Sequence, residues 1–195
     1  MNERMDSETK VLAGIAGSLE HDYLELEGEW GSSPFGWIRR QQIKTRGTIG
    51  EQIVSGWLAA RGFNVTRSTT TDADRVIENK AIEIKFAMLG KTDGFVFNQF
   101  RDQQYDAVLL LGVCPFHAHC WVLTKSDVIE QWRTLGNIKD QHDPKNPNAV
   151  ANTGMLTIRK AESPPSWLAD FGGSLRDGLG HVSRLTGFEP PDPLA

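Results

Sequence analysis

Apolar side chains in residues 9–27 recur at Val11, Leu12, Ile15, Leu19, Leu24 and Leu26, a helical spacing with an acidic outer face. Such a helix packs on the core or on a second subunit. GSSPFG at 31–36 follows as a loop by its Gly, Ser and Pro content. In residues 48–61, TIGEQIVSGWLAAR, a stripe of Ile49, Ile53, Trp57 and Ala60, widened by Val54 and Leu58, predicts a second helix. Thr48 with Glu51 fits a capping box at its start, and Gly62 fits the C′ position at its end. The period then changes to two. FNVTRS at 63–68 is a short strand, and DRVIEN and AIEIKFAM are two more, joined by a tight turn at Asn79-Lys80. YDAVLLLGV at 105–113 reads as a fully buried central strand, and HCWVLTK at 119–125 as another. Ser126 and Asp127 open a helix to about Thr134. Residues 136–154 form a long polar loop and MLTIRK at 155–160 a late strand. After Pro164-Pro165, residues 167–185 predict one or two helices broken near Gly172-Gly173. This order predicts an α/β (α+β) single domain over 31–195, preceded by an acidic helical segment at 1–30.

The composition fits that picture. The chain has 195 residues, 39% hydrophobic and 24% charged, with six Trp and nine Phe, which is the profile of a globular protein. No apolar run approaches the ~18 residues a membrane span needs. The N-terminal MNERMDSETK is polar and acidic, unlike a secretory signal, and there are two cysteines, too few for a disulfide scaffold. The expectation is a cytoplasmic protein with no membrane partner. Net charge is −4, which on its own argues against a nucleic-acid partner. Its distribution reverses the argument: residues 1–30 carry −6, and residues 31–70 carry +5 from Arg39, Arg40, Lys44, Arg46, Arg61 and Arg67 against Glu51. A DNA backbone responds to such a local basic strip.

Chemistry concentrates in TTTDADRVIENKAIEIKF, residues 69–86. In AIEIKF the side chains alternate, so Glu83 and Lys85 share one face while Ile82, Ile84 and Phe86 take the other. Two charges on an otherwise apolar strand are costly unless compensated. Asp74 begins the adjacent strand, and a hairpin brings its carboxylate to the same end as Glu83. Two neighbouring carboxylates repel, and a divalent cation relieves that repulsion. A lysine two residues on then sits beside the bound water.

This pattern of acid, short gap and acid-x-lysine resembles the PD-(D/E)xK nuclease superfamily, most closely its type II restriction endonucleases, over residues 47 to 125. The resemblance implies a restriction-endonuclease-like core, a central mixed β-sheet flanked by helices. It implies Mg²⁺, with Mn²⁺ able to substitute, held by Asp74, Glu83 and the Ile84 carbonyl, and Lys85 orienting and polarising the attacking water. It further points to Glu51 in GTIGEQ as an additional acid, and to Gln99 as the glutamine many members carry on a helix after the hairpin. Ala73 stands where the signature proline would be. Asp72 competes with Asp74 for its role. Glu78-Asn79-Lys80 is a second E-x-K, set aside because it lies in a polar turn four residues after Asp74.

The implied reaction is metal-dependent hydrolysis of DNA phosphodiester bonds by in-line attack of an activated water. A site-specific restriction enzyme acting as a homodimer on duplex DNA is the first expectation, with one active site per strand. The strip 37–46, with Arg39, Arg40, Lys44 and Arg46, and the loop 136–154 are its candidate DNA-contacting segments. A repair, junction-resolving or phage-encoded nuclease, and a non-catalytic DNA-binding module, are the alternatives. Cys114, His117, His119 and Cys120 fall within seven residues, but their spacing is not that of a common structural zinc site. They read as two core cysteines and two surface histidines. His142 and His181 are isolated.

Overall fold

The computed structural model describes residues 7–24, 28–141 and 152–191. Helix α1 spans Ser7–Leu24, where the apolar spacing placed a helix. Its Val11, Leu12 and Ile15 are 57%, 66% and 52% exposed, so the rest of the described chain does not cover that stripe. A short 3₁₀ turn at Gly28–Gly31 leads into α2 (Gly36–Arg39) and α3 (Ile43–Ala60).

The expected capping box at Thr48 and Glu51 is not there. Helix α3 starts five residues earlier, with Gln42 as its N-cap and no side-chain capping bond. Thr48 and Glu51 therefore lie inside the helix. Arg46 donates to the carbonyls of Arg39 and Gln41, the second at 2.8 Å from Nε, and so ties the α2–α3 turn together. At the other end Gly62 adopts φ +88°, the left-handed C′ conformation expected of it.

Among the described residues nine strands follow: β1 (Val65–Arg67), β2 (Arg75–Ile77), β3 (Lys80–Met88), β4 (Phe95–Phe100), β5 (Ala107–Val113), β6 (Ala118–Thr124), β7 (Lys139–Asp140), β8 (Gly154–Ile158) and β9 (Gly172–Ser174). Six of them form the central sheet in the order β1-β2-β3-β5-β6-β9, and β4-β8-β7 form a smaller one. The β3–β5 pair is parallel and all others in the central sheet are antiparallel, so the sheet is mixed, as expected. Between Thr124 and β7 lie α4 (Lys125–Ile129) and a π-helical turn at Glu130–Thr134; α5 (Leu175–Thr186) closes the chain. A capping box does occur at α4, between Thr124 and Asp127.

The central sheet is covered on both faces. On one side Val54 and Leu58 of α3 and Val182 of α5 meet Ile82, Ile84, Leu109, Leu111 and Val122. On the other, Phe95, Phe97 and Phe100 of β4 and Val128 of α4 meet Ala87, Val108, Leu110 and Trp121. Every residue of β5 is buried, the continuous apolar run of a strand covered twice.

Three stretches depart from the periodicity. Residues 95–100, to which the periodicity assigned no element and where the resemblance implied a helix at Gln99, form β4, with Phe95, Phe97 and Phe100 turned into the core. The glycine break at 172–173 is itself a strand that pairs with β6. The polar loop contains β7, and Gly154 already belongs to β8; the loop's remainder at 142–151 lies outside the described residues.

Helix α3 lies so close to β3 that a Cβ on Gly50 would fall within van der Waals contact of the Cβ and ring of Phe86. Gly50→Val is therefore expected to destabilise the protein by about 1–3 kcal/mol through overpacking, more than the ~0.4 kcal/mol that replacing glycine in a helix returns. A urea or thermal melt checks this. Unchanged stability would mean that α3 does not seat on Phe86.

Candidate active site

The hairpin of β2 and β3 turns at Glu78 and Asn79, with Ile77 paired to Lys80 and Glu78 at φ 51°. Its ladder runs out at the pair Arg75 and Ile82. Asp74 sits one step beyond, its N–H donating to the Ile82 carbonyl at 3.1 Å. Past this point β3 loses its neighbour on that side, and Ile84 N–H donates to Asp74 Oδ2 at 2.7 Å. A strand residue directs its N–H and C=O to the same side, so the Ile84 carbonyl faces the same gap as the Asp74 carboxylate.

Glu83 and Lys85 rise from β3 on the face opposite Ile82 and Ile84, toward the layer of the small sheet. Lys85 Nζ stands 2.6 Å from Glu83 Oε1, and the two side chains are 14% and 15% exposed. Burial raises the Glu83 pKa; Lys85 opposes the rise, while the charge of Asp74 and a hydrogen bond shared with it add to it. The two carboxylates therefore act on each other in a partly desolvated place.

Glu51 reaches this group from α3. Its pKa is also raised, first by burial and then by the charge of Asp74, with Arg75 and Arg67 working against the shift. Its closest cation is Arg75, whose Nη1 lies 3.3 Å from Glu51 Oε2. The same guanidinium donates to Ser55 Oγ at 2.8 Å and to the Asp74 carbonyl at 2.7 Å. Arg75 thus joins α3 to the residue that begins the hairpin. It follows Asp74 directly in sequence, yet the periodicity offered no reason to single it out, because its role needs α3 to lie alongside.

Tyr105 closes the opposite side. It is 6% exposed, its hydroxyl donates to the Arg101 carbonyl at 3.0 Å, and burial followed by the Glu83 charge pushes its pKa up. Lys125 lies 5.0 Å over its ring and 2.7 Å from Asp102. Neither Tyr105 nor Lys125 stood out in the sequence, since both read as strand ends.

Other expected residues fall elsewhere. Gln99 is exposed on β4, not on a helix, and its N–H donates to Gln141 Oε1 at 3.2 Å. Asp72 accepts from Gln103 Nε2 at 3.5 Å. The second E-x-K is spent on structure: Glu78 accepts from Asn64 N–H at 2.7 Å, and Lys80 stands 4.0 Å from Asp106. In the basic strip, Arg39 lies 5.0 Å over the Trp30 ring, Arg46 ties the α2–α3 turn, and Lys44 is exposed on the first turn of α3.

The chain matches no protein-family model and no curated protein. Among solved structures it is similar to the bacterial homing endonuclease I-Ssp6803I, with a TM-score of 0.45 and 13% identity, over 72% of this chain and 90% of that one. No helix among the described residues is long and apolar enough to cross a membrane.

Proposed function

We propose that the protein is a Mg²⁺-dependent endonuclease that hydrolyses DNA phosphodiester bonds, and that it acts on duplex DNA at specific sites in the manner of type II restriction enzymes. The observation that carries this reading is the convergence of Asp74, Glu83 and Lys85 where β2 ends beside β3. The donor set suits the ion. Two neighbouring carboxylates and a carbonyl facing the same gap are hard oxygen ligands of the kind Mg²⁺ takes, and the Glu83 pKa, raised first by burial and further by the Asp74 charge, marks a place where a cation would offset the cost of two ionised carboxylates. Bound there, Mg²⁺ would supply a Lewis acid that activates water and neutralises charge developing on the phosphate.

The chain's own residues do the rest. The Ile84 N–H fixes one Asp74 oxygen and leaves the other for a ligand. Lys85, now resting on Glu83, is close enough to turn to a water beside the carboxylates, orient it and favour its deprotonated form. Arg75 holds the Asp74 backbone in place, and Glu51 sits behind it as a positioning residue. Lys44 lies seven residues before Glu51 on α3, about 10 Å along the axis at ~1.5 Å per residue, within the span of neighbouring phosphates. Arg39 and Arg40 belong to the same strip, in which Arg46 serves the turn. A homodimer with one site per strand would suit a palindromic target.

The test is cleavage of plasmid and phage DNA in Mg²⁺, in Mn²⁺ and in EDTA. Discrete fragments in either metal that disappear in EDTA are expected. Intact duplex, followed by cutting of branched or flapped substrates, would replace the restriction reading with a repair or junction-resolving one. If no substrate is cut, the nuclease proposal fails.

A further inference from the structure

At the far end of the central sheet a second group of ligating side chains comes together. The β5–β6 turn is closed by Cys114 N–H donating to the His117 carbonyl at 2.8 Å, which sets Cys114 and His117 side by side and His119 two residues on. One ligand atom from each of Cys114, His117 and His119 lies within 4.8 Å of the other two. Glu162, in the loop after β8, joins from the other sheet: its Oε1 is 3.0 Å from His117 Nε2, and its charge also acts on Cys114 and His119. Cys120, which the sequence places in the same cluster, does not belong to it. It is buried behind β6, against the position of Gly178 on α5.

His119 carries the independent sign. Its ring is stacked on Trp121 at 5.5 Å and edged by Phe95 at 5.7 Å, so it cannot turn freely to water. Its Nε2 is buried with no hydrogen-bond partner among the described residues. The backbone of Gly173, paired with Cys120 on the neighbouring strand, also acts on the ring. An imidazole fixed by aromatic stacking, with a buried unpaired nitrogen and with a thiol and a second imidazole close by, has the arrangement of a metal ligand. A buried polar atom without a partner is costly, and metal ligation would satisfy it.

We propose that Cys114, His117 and His119 bind a borderline-soft transition-metal ion, Zn²⁺ above all, with Glu162 as the carboxylate that completes or orients the set. One sulfur and two imidazoles select Zn²⁺ over Mg²⁺ or Ca²⁺, which take oxygen ligands. Spacings within 4.8 Å need a small contraction to reach bonds of about 2.0–2.3 Å around a tetrahedral ion. The site is structural in effect: it clamps the β5–β6 turn of the central sheet to the loop that leaves the small sheet. It is separate from the Asp74–Glu83 group. In the β3–β5 register Lys85 faces Leu110, and Cys114 lies four residues further along β5, about 13 Å at ~3.3 Å per residue. The inference does not depend on the proposed nuclease activity.

The test uses the full chain, stripped with chelator and titrated with Co²⁺. One Co²⁺ per chain is expected, with a thiolate-to-cobalt charge-transfer band and the intense visible bands of a four-coordinate ion, all abolished by one equivalent of Zn²⁺ and unaffected by excess Mg²⁺. Cys114→Ser should remove the charge-transfer band. Because Cys114 is buried and its replacement can disturb folding, His117→Ala at a half-exposed side chain provides a second reading; it should weaken Co²⁺ binding by about tenfold or more. Asp74→Asn should leave the spectrum as it is. A folded wild type that gives no charge-transfer band, a band that survives Cys114→Ser, or binding indifferent to His117→Ala would each overturn the proposal.

Discussion

Lys85→Ala is expected to lower the rate of DNA cleavage by about 10²–10⁴-fold, the span by which a positioned proton-handling group accelerates such a reaction. The loss should fall on kcat more than on KM, because Lys85 lies beside the reacting water in the proposed mechanism and the basic strip on α2 and α3 that would hold the DNA is untouched. The variant also changes the electrostatics of the site in a definite direction. Burial already raises the Glu83 pKa, and Lys85 is the first influence holding it down. Without Lys85 the rise must grow. A carboxyl whose folded pKa lies above its unfolded one favours the folded state while protonated, below the unfolded pKa. That contribution is lost as pH rises through the folded value. Lys85→Ala should therefore be least destabilised at acid pH and increasingly so toward neutrality, and saturating Mg²⁺ should narrow the gap. Paired thermal melts of wild type and variant across pH, with and without Mg²⁺, would show it. A variant that cuts DNA at the wild-type rate removes Lys85 from the mechanism, and a pH-independent stability difference would mean that Glu83 and Lys85 are not electrostatically linked.

That the β2–β3 hairpin could be read from the chain follows from alternation. Ile82, Ile84 and Phe86 must face a core, so Glu83 and Lys85 must share the other side, and a short turn, expected at 79–80 and found one residue earlier at 78–79, fixes where Asp74 falls. β5 was legible for a related reason, because a strand covered on both faces tolerates no polar residue. The start of α3 was not legible because Thr48 and Glu51 carry a cap's side chains, whereas Gln42, the actual N-cap, makes no side-chain capping bond. β4 was missed because its pattern, with Phe95 and Phe97 inward but Asn98 and Gln99 outward, breaks period two at a bulge before Phe100. Glu162 could not have been joined to Cys114, His117 and His119 from sequence at all. It lies more than forty residues away in the loop that follows β8, and Cys120, the nearer candidate, points into the α5 layer. Short-range chemistry was readable. Groups assembled by packing between layers were not.

Arg75 belongs to the second kind, and its removal is the stability change with the largest expected effect. The guanidinium serves Glu51, Ser55 and the Asp74 carbonyl together. Arg75→Ala leaves Glu51 facing Asp74 with its principal cation gone, in a place where the Glu51 pKa is already raised by burial and by that same aspartate. Breaking a fully buried pair costs about 3–5 kcal/mol. With the Glu51 side chain 26% exposed, a loss of about 2–3 kcal/mol is the appropriate discount. Glu51→Gln alone should cost less, because Arg75 keeps Ser55 and Asp74. The double variant should be more stable than Arg75→Ala, with a coupling of about 1–2 kcal/mol in urea melts. Cleavage separates the roles further. Glu51→Gln, a change behind the Asp74 carboxylate, should weaken the apparent Mg²⁺ affinity by about tenfold and leave the rate at saturating Mg²⁺ near that of the wild type. The double variant should regain stability without regaining activity, because nothing then holds the Asp74 backbone against α3. Recovery of both together would reduce Arg75 to a charge partner of Glu51, and additive stability losses would show that the two side chains do not act as a pair.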